Sequence, residues 1–266
     1  VNVAALVAGS GLPAAEARAL LAHLLDVPRE RLIAHPELAV AASVAATYQR
    51  LVGQRRDGVP LAYLLGEREF YGRAFKVTPA VLVPRPETEL LVEQALARIA
   101  TVRVPRVLDL GTGSGCIALT LALERPDAEV LAVDQSHAAL AVAQQNAERL
   151  RAPVRLLHGA WYAPVHGRFH LIVANPPYVA PGDAHLAALR HEPIEALVAA
   201  GDGLDDLRTI VRGACGFLEA GGWLAVEHGH DQAAAVRTLF TDAGFGEVSS
   251  ACDLQDIERV TAGRQR

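Results

Sequence analysis

The sequence predicts an α/β fold: a largely parallel sheet with helices on both faces, preceded by a small helical bundle. Three observations carry this. After Pro86 the pattern alternates between short apolar runs and helical stripes, as in a sheet wound with crossover helices. Within that region Arg106-Val107-Leu108-Asp109-Leu110 opens directly into Gly111-Thr112-Gly113-Ser114-Gly115 and then into the apolar Cys116-Ile117-Ala118-Leu119, the order strand, glycine turn, helix. Upstream, residues 12–65 show only helical periodicity.

In chain order, Leu20, Leu21, Leu24 and Leu25 form one apolar stripe, and Val44, Tyr48, Leu51 and Val52 another. Pro13 and Pro60 suit first-turn positions, while Gly53 and Gly58 weaken or end the helix between them. Over 69–83, Phe70, Tyr71 and Phe75 flank Gly72. Phe75, Val77, Val81 and Val83 alternate around Pro79, which predicts a β-hairpin connector. A helix is expected over 87–100 with Leu90, Leu91 and Leu96 inward, then strands near 106–110, 129–134, 153–157, 169–174 and 222–228. Ser136 suits the cap of a helix carrying Leu140, Ala143, Ala147 and Leu150. Leu207, Ile210, Val211, Ala214, Phe217 and Leu218 make a further stripe, expected to stop at Gly221-Gly222. Two more strands are expected over 246–263.

Two motifs bear on chemistry. Glycines at 111, 113 and 115 let a backbone turn tightly and approach a ligand, and the run Val130-Leu131-Ala132-Val133 ends in Asp134, roughly 20 residues on, where a carboxylate reaches ribose hydroxyls. The spacing is G-x-G-x-G, with Cys116 where a dinucleotide fingerprint has its third glycine. With Asp109 before the turn, the pattern suits S-adenosylmethionine better than NAD. The other motif is Asn175-Pro176-Pro177-Tyr178, at the carboxyl end of the run 169–174. An Asn amide both donates and accepts, and two prolines without N–H groups hold the neighbouring carbonyls rigid and free to accept. The segment is either a turn closing a strand or a clamp that accepts both hydrogens of a planar –NH2 group.

The chain resembles the bacterial HemK-type (PrmC) protein-glutamine methyltransferases that modify peptide chain release factors. The resemblance runs over nearly the whole length, through Gly58-Val59-Pro60-Leu61-Ala62-Tyr63, Gly66-Glu67-Arg68-Glu69-Phe70-Tyr71-Gly72, Val83-Pro84-Arg85-Pro86-Glu87-Thr88-Glu89, the two motifs above, and Glu192-Pro193 to Asp202-Gly203-Leu204. It implies a Rossmann-like class I S-adenosylmethionine-dependent methyltransferase sheet of seven strands, the last antiparallel, with a small N-terminal helical bundle joined by a β-hairpin. The expected organisation is a helical substrate-positioning domain over 1–68, a hairpin linker over 69–84 and a methyltransferase domain over 85–266. The implied activity is methylation of the glutamine side-chain amide in the Gly-Gly-Gln motif of class I release factors, with S-adenosyl-L-homocysteine as product.

Residue by residue, Asn175, Pro176 and Tyr178 are the expected catalytic group. Asp109, Gly111, Thr112, Gly113, Ser114, Gly115, Asp134, Trp161 and Asn175 are the expected cofactor contacts. Asn175 to Tyr178, including Pro177, with Phe70, Arg85 and Glu87, are the expected substrate contacts. Trp161 matches an aromatic that lies against adenine, but Ala160 stands where the family commonly has an acidic residue. Arg85 and Glu87 either shape the pocket or pair with each other to lock the loop.

Composition narrows the partners. The formal net charge of −5 runs against a phosphate-binding surface, so no stable nucleic-acid binding is expected. A nucleic-acid amino methyltransferase nevertheless shares Asn-Pro-Pro-Tyr, and a regulator that only holds the cofactor is the other rival. No apolar stretch approaches the roughly 20 residues of a membrane span, and no signal peptide is evident. Three cysteines without metal-ligand spacing, and an odd number, suit a reducing cytoplasm. No metal is expected from the scattered histidines, and a monomer is expected.

Overall fold

The computed structural model describes residues 1–266, which divide into two compact units, Val1–Glu67 and Arg68–Arg266. The first is all helical: α1 (Val3–Gly9), α2 (Ala14–Leu25), α3 (Arg29–Ala34), α4 (Ala42–Arg56) and α5 (Leu61–Leu65). The Asn2 side chain caps α1 by accepting from the Ala5 N–H. Pro13 and Pro60 stand at the N-caps of α2 and α5. Both leucine and aromatic stripes turn inward, with Leu20, Leu21, Leu32, Tyr48 and Val52 sealed from solvent. Gly53 sits inside α4, which ends at Arg56, before Gly58.

A hairpin begins at the unit boundary, β1 (Glu67–Phe70) and β2 (Arg73–Lys76). Tyr71 and Gly72, both at positive φ, make the two-residue turn whose twist suits paired strands. The pairing is shorter than the alternation 75–83 suggests. Pro79 has no N–H for a ladder, and the chain turns there, with the Val81 N–H on the Thr78 carbonyl. Val77, Val81 and Val83 are buried all the same, on irregular backbone. A 3-10 turn, Pro86–Thr88, then precedes α6 (Glu89–Arg98), two residues later than the periodicity suggests because Pro86 sets the first turn.

The sheet contains β3 (Arg106–Leu110), β4 (Glu129–Asp134), β5 (Val154–His158), β6 (Phe169–Ala174), β7 (Leu218–Glu227), β8 (Gly246–Cys252) and β9 (Glu258–Arg264). Its helices are α7 (Cys116–Glu124), α8 (His137–Leu150), α9 (Asp205–Ala214) and α10 (Ala233–Asp242). The strand order is β5-β4-β3-β6-β7-β9-β8, and only β9 runs against the rest. This is a seven-stranded sheet with its last strand in the chain antiparallel, as expected. Alternation along β3 and β6 splits the core in two. Val107, Leu171 and Val173 pack with Leu91, Ile117 and Leu121 on one face; Leu108, Leu110 and Ile172 pack with Leu207, Ile210 and Val211 on the other. No helix is long and apolar enough to cross a membrane.

One expected element differs. The stripe from Leu207 does not stay helical to Gly221: α9 ends at Ala214, and Leu218 already belongs to β7. Gly221 and Gly222 instead lie within β7, at the register jump that pairs Leu218 with Phe169 but Trp223 with Leu171. A Cβ at Gly222 would come within 3.1 Å of the Phe169 carbonyl, so this bulge needs glycine.

A buried side chain ties hairpin, helix and glycine turn together. Asn146 of α8 accepts from the Lys76 N–H at 2.7 Å and donates to the carbonyls of Lys76 and Ser114 at 3.0 and 2.9 Å. Asn146→Ala strands those three backbone groups and is expected to cost about 2–4 kcal/mol. Urea unfolding followed by tryptophan fluorescence checks this, because Trp161 and Trp223 both lie in the second unit. A loss under about 0.5 kcal/mol would dismiss the bridge as incidental.

Asp109 on β3 gives a pH signature. Its burial, partly offset by the Thr112 hydroxyl at 2.6 Å, raises its carboxyl from 3.8 to about 7. Between those values the folded chain holds a proton that the unfolded chain has released. Stability therefore falls as pH rises through that window, and the penalty is complete above it. Asp109→Asn removes that slope, so its stability relative to the parent should rise, on the order of a few kcal/mol, between about pH 4 and about pH 8. Parallel stability–pH curves for the two proteins would contradict the assignment.

Candidate active site

The site is built at the carboxyl ends of β3 and β6. Their parallel register pairs Leu110 with Ala174, so Gly111 and Asn175 leave the sheet side by side. Each is the first residue of a loop lining one cleft of about 820 Å3, within the size range of small-molecule sites.

Gly111, Gly113 and Gly115 all sit at positive φ, which an L side chain rarely adopts. The Gly111 and Thr112 N–H groups donate to the Val133 carbonyl, fastening the turn to β4. Asp134, ending β4, accepts from the Gly113 N–H on Oδ2 and from the Ser136 N–H on Oδ1, each at 2.8 Å. The carboxylate is thus fixed in place while keeping lone pairs for a ligand diol. Ser136 also caps α8, accepting from the Ala139 N–H.

Across from it, Trp161 is held at a φ of 47°. Its indole edge lies over Gly111, where a Cβ would approach Cζ3 to 3.3 Å. The indole N–H is taken by Asp206, whose carboxyl burial raises and this hydrogen bond lowers. A flat apolar face, a fixed carboxylate and a glycine turn together fit a nucleoside.

On the β6 side, Asn175 is half-buried and its Nδ2 donates to the Thr88 hydroxyl at 3.2 Å. That engages one end of the amide and leaves Oδ1 as the acceptor at the cleft. Arg85 approaches from the same quarter, held by a 2.5 Å bond to Glu192 Oε1, while Glu192 Oε2 accepts from the Val83 N–H at 3.1 Å. The ion pair weighed for Arg85 and Glu87 therefore does not form. Glu192 is the more buried carboxylate, and a buried charge needs both partners.

The cleft brings together Gly111, Thr112, Gly113, Ser114 and Asp134 from the cofactor prediction, with Trp161. From the substrate prediction it gathers Asn175, Pro177 and Arg85. Six predicted residues stand off its wall. Asp109 lies beneath the glycine turn on Thr112, and Gly115 packs on Leu119 and Ala143 as the N-cap of α7. Phe70 is in the core, edge-on to Phe75 at 6.0 Å. Glu87 lies in the 3-10 turn, and Pro176 is buried. Tyr178 packs into the second core cluster, with its hydroxyl donating to Glu227 Oε1 at 3.4 Å. Burial and that carboxylate both raise its pKa, so it stays a neutral phenol.

Thr88, Glu192 and Asp206 are site residues that sequence reasoning missed. Thr88 and Glu192 lay inside the segments that carry the resemblance, yet nothing local marks their partners, 87 and 107 residues away. The cysteines supply no rival chemistry: all three are free, and burial pushes the Cys116 thiol up to about 12.

Residues 86–202 match the family described as Methyltransferase small domain, and residues 5–66 match the PrmC N-terminal domain. Among solved structures, the T. thermophilus 16S rRNA N2 G1207 methyltransferase, in complex with AdoMet and guanosine, aligns at 25% identity and a TM-score of 0.58. It covers 75% of this chain and 50% of that one. The hMettl16 catalytic domain aligns at 18% identity with a TM-score of 0.60, over 76% of this chain and 79% of that one, a likeness of fold. The release factor glutamine methyltransferase of Burkholderia pseudomallei is 52% identical over 99% of this chain and 96% of its own length. That of Bordetella pertussis is 52% identical over 97% of each, and that of Neisseria gonorrhoeae 46% identical over 96% of this chain and 94% of its own. With matching identity at both the helical unit and the sheet, the chain belongs to the release factor glutamine methyltransferase family.

Proposed function

We propose that this chain methylates the side-chain amide nitrogen of the glutamine in the Gly-Gly-Gln motif of class I peptide chain release factors, as a cytoplasmic monomer using S-adenosyl-L-methionine. The observation that carries the reading is the Asn175 amide. Its Nδ2 is engaged by Thr88, which leaves Oδ1 as the free acceptor of a residue that lines the cleft together with the glycine turn and Asp134. An acceptor placed there suits a substrate that presents an –NH2 group.

The residues present fit the cofactor. Asp134 would take the ribose hydroxyls, Trp161 would face the adenine, and the backbone of Gly111 to Ser114 would approach the amino acid portion closely because it carries no Cβ at 111 and 113. When bound, S-adenosylmethionine supplies an electrophilic methyl on its sulfonium. The chain's own task is then positional. A carboxamide nitrogen is a poor nucleophile because its lone pair is delocalised into the carbonyl. Asn175 Oδ1 accepting one N–H fixes that nitrogen's orientation and adds electron density to it, so alignment replaces a strong base. The nitrogen releases its proton to water afterwards. Pro177 on the wall excludes solvent, and the Arg85–Glu192 pair steadies the loop that carries Thr88. The helical unit has no cofactor motif, and its proposed part is to position the release factor.

Two separations test this. Asn175→Ala should lower single-turnover methylation of a release factor at saturating cofactor about a hundredfold, comparable to removing a preorganised transition-state contact, with cofactor affinity nearly unchanged. Asp134→Ala should invert the pattern, weakening cofactor binding by roughly 1.5–3 kcal/mol in calorimetry. Near-normal turnover by a folded Asn175→Ala protein would return the segment to the role of a turn.

The helical unit is tested by removing residues 1–67. The remainder should still bind S-adenosylmethionine but lose most methylation of the intact release factor, read by mass spectrometry as one added methyl on a glutamine. Undiminished methylation would reject its positioning role; methyl transfer to DNA or RNA instead would favour the nucleic-acid reading.

A further inference from the structure

A second side chain grips the Asn-Pro-Pro-Tyr segment at its far end. Gln232, at the N-cap of α10, donates from Nε2 to the Tyr178 carbonyl at 3.0 Å, while its Oε1 accepts from the Gly229 N–H at 2.8 Å. Glycines keep open the slot it occupies. A Cβ at Gly203, whose φ is +85°, would stand 2.6 Å from the Tyr178 carbonyl oxygen and 3.1 Å from Gln232 Nε2, and one at Gly229 would stand 3.0 Å from Gln232 Oε1. Just beyond, the Val179 N–H donates to the Leu197 carbonyl at 2.9 Å, and the Val179 carbonyl accepts from the Ala199 N–H at 3.1 Å.

Resting on the reading of Asn175 as the amide clamp, we infer that Gln232 is a positioning residue for methyl transfer, holding the Tyr178 carbonyl so that the two prolines carry Asn175 at a fixed place on the cleft wall. The Tyr178 carbonyl only accepts and the Gly229 N–H only donates, so the group between them must offer a donor at one end and an acceptor at the other. The Gln232 amide does both. Between Asn175 and Tyr178 lie only Pro176 and Pro177, each with φ locked by its ring, so little torsional freedom remains to absorb a shift. Movement at Tyr178 therefore reaches Asn175. The bond of Asn175 Nδ2 to Thr88, at 3.2 Å, lies at the long end of the hydrogen-bond range and fixes the amide weakly by itself. Neither Gln232 nor Tyr178 lines the cleft, so the influence of Gln232 on the reaction runs through the backbone.

Two variants separate positioning from general support. Gln232→Glu keeps the Gly229 bond but turns a carboxylate oxygen to the Tyr178 carbonyl, where it can donate only once protonated. Gln232→Met fills the slot and makes neither bond. At about pH 8 both should lower the single-turnover methylation rate at saturating cofactor and release factor about tenfold or more, as a small misplacement at a reacting group does, with cofactor affinity within about twofold of the parent's. As the pH falls to about 5.5, the deficit of Gln232→Glu against the parent at the same pH should shrink, because the carbonyl favours the protonated carboxyl. That of Gln232→Met should stay. Asn175→Ala is measured alongside. If it loses its rate while a folded Gln232 variant keeps the parental one, or if the Gln232→Glu deficit is as large at the lower pH as at the higher, the positioning role is overturned and the clamp stands. Rate and cofactor affinity falling together would make Gln232 a structural prop and overturn the role as well. If Asn175→Ala itself keeps the parental rate, clamp and positioning role fall together. Should Gln232→Glu not fold, Gln232→Met decides by the split between rate and affinity.

Discussion

The parallel pairing of β3 with β6 is the constraint on which the rest depends. The sheet order reverses there: β4 and β5 lie on one side of β3, and β6, β7, β9 and β8 on the other. Loops leaving the carboxyl ends of two such strands diverge and leave a crevice. The register is strongly specified, because β3 and β6 bury side chains on both faces and a slip by one residue would exchange every pair between the two cores. With Leu110 fixed opposite Ala174, the glycine turn and the Asn-Pro-Pro-Tyr segment begin at the same height. The two segments therefore line one cleft.

That dependence explains what was legible in the sequence. Strands 106–110 and 169–174, the glycine turn and Asp134 are local signals: apolar runs, positive-φ glycines and a carboxylate at a strand end, each readable within a few residues. The groups that hold the cleft in shape are not local. Asn146 reaches Lys76 across 70 residues, Glu192 reaches Val83 across 109, and Thr88 meets Asn175 across 87. No window of sequence contains both partners. The misplaced boundary of α9 has the same origin. Phe217 and Leu218 continue a helical stripe, but β6 offers Leu218 a ladder through Phe169, and pairing prevails over periodicity. Tyr178 and Phe70 were legible as aromatics near the chemistry, yet the core claims both rings.

Polar burial is concentrated at the carboxyl edge of the sheet. Asp109 sits under the glycine turn, Glu192 behind Arg85 and Glu227 behind Tyr178. Each destabilises the fold unless hydrogen-bonded, and each is bonded to a loop residue at or next to the cleft. The fold gives up some stability at this edge to gain fixed loop geometry, while the strands themselves are held by apolar packing.

Fixed geometry at Asn175 does not by itself choose a substrate. A glutamine amide and a nucleobase amine both present a planar –NH2 group, and an acceptor at Oδ1 meets either. Discrimination must therefore reside in the groups that receive the remainder of the substrate. A nucleic acid brings phosphates, which a chain of net charge −5 is poorly suited to collect. A protein brings a folded surface, and on the proposed reading the helical unit, with its own core of Leu20, Leu21, Tyr48 and Val52, would meet it. On the reading proposed above, the sheet carries the reaction and the helical unit attached to it selects a protein amide.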